Sequence, residues 1–74
     1  MTNKKKAIEK FISTAKKNKD VIFYTAKPGC GVYYKSSNEL KNLDCLAVAK
    51  TKTNDWFTLD LDLNERFFKA NQLI

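Results

Sequence analysis

A chain of 74 residues with a net charge of +6 makes one small domain, residues 1–74, able to bury only about 60% of the surface its unfolded form exposes. The sequence holds no His and two Cys. That excludes Ser-His-Asp and Cys-His nucleophiles, His-based RNase chemistry and a four-ligand zinc centre made from the chain's own Cys and His. With Gly29 and Gly31 as its glycines, it also lacks Walker A and dinucleotide-binding loops.

The first predicted element is a helix from Asn3 to about Asn18. Ile8, Phe11, Ile12 and Ala15 recur at the spacing of one buried helical face. Thr2 or Asn3 can cap its start. Lys6, Lys10, Ser13 and Lys17 form the opposite stripe. Lys16, Lys17 and Lys19 suit the negative end of the helix dipole, whereas Lys4, Lys5 and Lys6 sit at its positive end and are opposed by it.

Val21 to Ala26 reads as a strand from its β-branched and aromatic residues. Lys27-Pro28-Gly29-Cys30 reads as a turn into a second strand, Gly31 to Lys35. Ser36 to Asp44 is a connector. Ser36 and Glu39 carry the spacing of a capping box and predict a single helical turn.

Cys45–Lys52 and Trp56–Leu63 predict a hairpin around Asn54-Asp55. A two-residue turn there sets Val48 opposite Leu61 and Leu46 opposite Leu63. Leu46, Val48, Phe57, Leu59, Leu61 and Leu63 then share the core face. Trp56, Ala47, Ala49, Asp60 and Asp62 take the other face. A last helix is expected after Asp62, with Leu63, Phe67, Ala70 and Ile74 on one side. Phe68 falls about 100° round from Phe67.

The expected fold class is therefore α+β, in the order α-β-β-β-β-α. A four-stranded antiparallel sheet carries the N-terminal and C-terminal helices on one face, with a short helical turn between strands two and three. This order is similar to that of double-stranded-RNA-binding domains. The Lys-rich start of their second helix is replaced here by Asn64-Glu65-Arg66-Phe67.

Charge is polarised along the chain. Residues 1–19 carry +6, residues 20–53 carry +2 and residues 54–74 carry −2. A basic end favours anionic partners. Lys4, Lys5, Lys6, Lys10 and Lys17 are the candidate nucleic-acid-binding residues, with Tyr24 or Tyr33 as an aromatic complement. The bland alternative for this stripe is a solvated helix face. Trp56 and Phe68 are candidate partner-binding residues, placed outside the expected core. Against that stands the ordinary role of an aromatic that covers small neighbours.

Asp60 and Asp62, two apart on a strand, are the one pair that could hold Mg²⁺ in a metal-dependent nuclease. A solvated strand face is the simpler account, and no metal or cofactor is assigned. Cys30 could react if Cys45 came close enough to act as its partner.

No apolar run reaches the roughly 20 residues of a membrane helix, and no signal peptide is visible. A cytoplasmic protein with reduced Cys is the expectation. The Lys- and Asn-rich, AT-codon composition looks like that of a bacteriophage or mobile-element product. The expected function is a small non-catalytic regulator or inhibitor that binds nucleic acid through its first helix. The alternative is an inhibitor or adaptor that docks on a host protein through the last hairpin and C-terminal helix. A homodimer is compatible with so short a chain.

Overall fold

The computed structural model describes residues 2–27 and 29–72. Pro28 of the expected turn and Ile74 of the expected last helix lie outside them. Helix α1 spans Thr2–Lys17. It ends where the Asn18 amide donates to the Ala15 carbonyl (3.2 Å) and the Asn18 carbonyl accepts from Val21 (3.1 Å). The Asn18 side chain also accepts the Asp20 amide at 2.9 Å. One residue thus turns the chain from helix to strand, an Asn using its short amide as a local backbone substitute.

Five strands follow among the described residues: β1 Val21–Thr25, β2 Gly31–Ser36, β3 Glu39–Thr51, β4 Trp56–Asp60 and β5 Glu65–Phe68. All pairings are antiparallel. The α+β class holds, but the sheet has one strand more than expected, and α1 is the one α-helix among the described residues.

β1 and β2 do not form a hairpin with each other. Both run antiparallel to the long β3: β1 pairs with residues 48–51 and β2 with residues 39–44. The reversal lies instead at Ser37-Asn38, between the paired Ser36 and Glu39, where a helical turn was expected. Ser37 takes φ 56°, and a positive φ at the first turn position suits the right-handed twist of a two-residue hairpin. Gly29 (φ +83°) bends the segment between β1 and β2. Gly31 admits no side chain, because a Cβ would sit 2.6 Å from the Leu43 carbonyl oxygen.

The β3–β4 register is also corrected. Val48 faces Thr58 and Ala47 faces Leu59, with Lys50 opposite Trp56. The pairing is three residues away from the expected one, so the faces exchange. Ala47 and Ala49 join Phe57 and Leu59 beneath Phe11 and Ala15 of α1. The small alanines let the helix sit close to the sheet, which a Leu46–Val48 floor would not allow. Polar bonds hold the longer loop. Thr51 donates its amide to the Asp55 carbonyl and Asn54 to that of Thr51, both at 2.9 Å.

A register shift between Cys45 and Ala47 changes the face of β3. An extra residue of this kind bends a strand and reverses its alternation. Cys45 therefore joins Val48, Val32 and Phe68 in a second cluster, with Cys30, Tyr34, Leu43 and Trp56 packed against it. This cluster lies on the side of the sheet away from α1. The β2–β3 hairpin covers it, with the Tyr34 and Phe68 rings 4.9 Å apart.

The expected C-terminal helix is replaced by β5 and a 3-10 turn, Ala70–Gln72. Leu63 takes φ 67°, which stops a helix at its first residue. The Asp60 carboxylate accepts the Asp62 and Asn64 amides, both at 2.9 Å, and shapes the β4–β5 turn. A strand also resolves the placing of the two phenylalanines, since neighbours point to opposite faces. Phe68 is 2% exposed and Phe67 46%. With one α-helix among the described residues and β5 where the second was expected, the likeness in element order to double-stranded-RNA-binding domains does not extend to the structure.

Asp55 ties the β3–β4 loop to the 3-10 turn. It accepts the Thr53 hydroxyl at 2.8 Å and the Ala70 amide at 2.9 Å. Those two bonds, with Lys69 nearby, hold its carboxyl below the usual value. The stabilisation is present above the unfolded-state value and is lost as pH falls through the lower folded one. Asp55→Ala is expected to speed amide hydrogen exchange at Ala70, read by NMR at pH 6, while Leu59 stays protected. Unchanged exchange at Ala70 would show that the bond does not restrain the turn.

Candidate nucleic-acid interface

The lysines are where the helical repeat puts them. Lys4, Lys5, Lys6, Lys10 and Lys17 are all exposed, as is Lys16. Phe11 and Ala15 are buried on the side of α1 opposite Lys6, Lys10 and Lys17, whereas Lys4, seven residues before Phe11, is exposed at the helix start on the same face as Phe11. At 1.5 Å per residue, Lys6 to Lys17 covers about 16 Å, the length of roughly five phosphates along one strand of duplex DNA. Six Lys and the lone Glu9 give α1 a charge of +5.

The fold does little to neutralise that charge. The ion pair found among the described residues is Lys52–Asp20, at 3.2 Å on the surface. No acidic residue occupies the first turn of α1, where one would balance the dipole. Lys4, Lys5 and Lys6 stand there instead. Their mutual repulsion and their repulsion from the helix end are small costs in water, and both fall when anions arrive.

Tyr24 and Tyr33 separate in the structure. Tyr24 pairs with Ala49, which places it on the sheet face that α1 covers, and its ring remains accessible. Tyr33 is exposed on β2, in the hairpin on the other side. Tyr24 is thus the aromatic that shares the helix face. Beside α1, a cleft of about 130 Å³ is lined by Phe11, Thr14, Ala49, Phe57 and Glu65, among others.

The partner-binding pair is rearranged. Phe68 is buried, so the expectation that it stands on the surface is corrected; pairing of β5 turns it into the second cluster. Trp56 is half-buried in the same cluster. Phe23 packs edge-on against it at 6.4 Å, and Lys50 lies over its ring at 6.0 Å. Arg66 is spent in the same way, 5.3 Å from the Tyr34 ring and 4.9 Å from that of Phe68. The exposed apolar residues of the last hairpin are Leu61, Leu63 and Phe67. Glu65-Arg66-Phe67-Phe68 does not alternate polar and apolar residues, so no period-two signal in the sequence marked that exchange.

Asp60 and Asp62 do not share a strand face. β4 ends at Asp60, which is buried and bonded to two amides, while Asp62 lies in the exposed turn. Among the described residues, no group of three or more His, Cys, Asp or Glu could hold a metal ion. No described helix is long and apolar enough to cross a membrane.

Cys30 and Cys45 do come together. They lie at the junction of β2 with β3, where the Cys45 amide donates to the Cys30 carbonyl at 3.0 Å. Both are free thiols. Nothing among protein-family models, curated proteins or solved structures matches the chain.

Proposed function

We propose that this protein is a small non-catalytic regulator or inhibitor that binds nucleic-acid phosphates through α1. The observation that carries the reading is the unneutralised lysine stripe. Lys6, Lys10 and Lys17 face away from the core, Lys4 and Lys5 extend the charge toward the helix start, and no ion pair among the described residues uses any of them. The composition supports a bacteriophage or mobile-element source, acting in the cytoplasm of a host cell. No cofactor is required.

A second reading rests on the last hairpin. Leu61, Leu63 and Phe67 are exposed there, and a host-protein partner would cover them. Trp56 would contribute only through its accessible edge.

The two readings differ in their response to salt. Fluorescence anisotropy with mixed-sequence DNA and RNA oligonucleotides is expected to show log K falling linearly with log salt, by about 0.9 for each duplex phosphate contacted. The Lys6→Glu, Lys10→Glu double substitution is expected to weaken binding tenfold or more and to flatten that slope by about 2. Binding that ignores both salt and the double substitution would sink the nucleic-acid reading. Loss of a captured protein partner in Phe67→Glu would then support the hairpin.

A further inference from the structure

We propose that Cys30 and Cys45 are a modification site: a thiol pair that a small disulfide of the glutathione class converts to an intramolecular disulfide locking β2 onto β3. The pair continues the register of the hairpin. Gly31 faces Asp44, and the next position in the ladder sets Cys30 opposite Cys45. Both side chains enter the same buried cluster, beside Val32 and Val48.

Opposed residues on one face of an antiparallel pair have Cα atoms about 4.5–5.5 Å apart. A disulfide accepts Cα separations of about 4.4–6.8 Å. Their Cβ atoms, about 4.5–5.5 Å apart in an ordinary pair, need to close by about 1 Å.

The local backbone leaves room for that movement. Cys45 donates its amide to Cys30, but Cys30 does not return the bond, because its own amide goes to the Lys27 carbonyl at 3.3 Å. The Cys30 thiol instead donates to the Cys45 carbonyl at 3.3 Å. The ladder is thus half-made at this step, and the thiol already reaches across it. Among the described residues, Gly29 and Gly31 flank Cys30 on the more exposed side, and Gly31 closely approaches Leu43.

The two thiols differ in access. Cys30 is half-buried and Cys45 only 3% exposed. Burial, then the neighbouring Cys30, Asp60 and Asp44, pushes the Cys45 thiol up to about 11. Burial raises Cys30 as well. The order of events follows. The Cys30 thiolate attacks one sulfur of the small disulfide, whose S–S bond breaks and releases one thiolate. Cys45 then gives its proton to water and attacks the Cys30 sulfur, releasing the second thiolate. Two protein thiols lose two electrons in all, and the small disulfide gains them and becomes two thiols.

The test is incubation of the reduced, full-length protein with oxidised glutathione at pH 8.5, followed by acid quench, mass spectrometry and thiol counting under denaturing conditions. The expected product is a monomer lighter by two hydrogens, with no free thiol. Its Tm should rise by roughly 10 °C, since the bond closes a loop of the chain that includes β2. Cys45→Ser should stop at one glutathione adduct on Cys30, and Cys30→Ser should stay unmodified while folded. Two persisting thiols in the wild type, stable glutathione adducts without ring closure, or only disulfide-linked dimers would each overturn the proposal. Equal modification of Cys45 in Cys30→Ser would overturn the order of attack.

Discussion

Leu59→Ala is expected to be the most damaging single truncation in this chain, costing about 2–5 kcal/mol. Leu59 is 2% exposed and sits opposite Ala47, which is fully buried. Alanines already form the floor on which Phe11 and Ala15 rest. Neighbours that small cannot swing into a new void, so the cavity stays open. A domain of this size has a total stability of roughly 4–11 kcal/mol, and one truncation would remove a large share of it. Urea titration should show a lower midpoint with an unchanged slope. Leu61→Ala, at an exposed turn position, should stay within about 0.5 kcal/mol of the parent. Equal midpoints for the two variants would refute the placing of α1 over β3 and β4.

The second large effect is alkaline destabilisation through Cys45. In the unfolded chain a thiol ionises near 8.5 to 9; in the fold burial holds Cys45 neutral until about 11. The folded value is the higher one, so the native state keeps a proton that the unfolded state has lost. Stability is therefore full below about pH 8.5 and falls as pH rises toward 11. Two units of difference set an upper bound of about 3 kcal/mol, which solvent screening of the neighbouring charges reduces. Tm measured against pH in the presence of a reductant should fall more steeply for the parent than for Cys45→Ala, which has nothing to ionise. Parallel curves would mean that Cys45 reaches water in the native state. Other groups titrate in the same range, and the difference between the two curves removes them.

The helix and its lysine stripe were legible in the sequence because a 3.6-residue period at Ile8, Phe11, Ile12 and Ala15 has no competing reading. The strands expected at Val21–Ala26 and Trp56–Leu63 were legible from β-branched, aromatic and alternating residues, although the second stops at Asp60 and leaves Leu61 and Leu63 exposed. Register was not. Leu46 and Val48 invited pairing with leucines of like size, but the helix needed the smaller Ala47 and Ala49, a demand made by packing from another part of the chain. The Ser37-Asn38 reversal was hidden because no Gly marks it. The last strand was misread because Leu63, Phe67 and Ala70 also fit a helix, until the positive φ of Leu63 and pairing with β4 decide otherwise. Among the candidate site residues, the exposure of the lysines needed only the helix. Phe68 depended on the wrong element and moved into the core. The Cys pair needed long-range pairing that spacing alone does not give.

The change of face in β3 has a consequence for how the molecule comes apart. Residues 47 and 49 of that strand belong to the cluster beneath α1, and residues 45 and 48 to the cluster beneath the β2–β3 hairpin. β1, β2 and β4 all take hydrogen bonds from the same strand. Neither layer owns a strand of its own to fall back on, so damage on one side removes the scaffold of the other. Such a chain melts as one cooperative unit. A ligand gripping only the lysines of α1 would thereby protect amides as far away as Val32 and Tyr34.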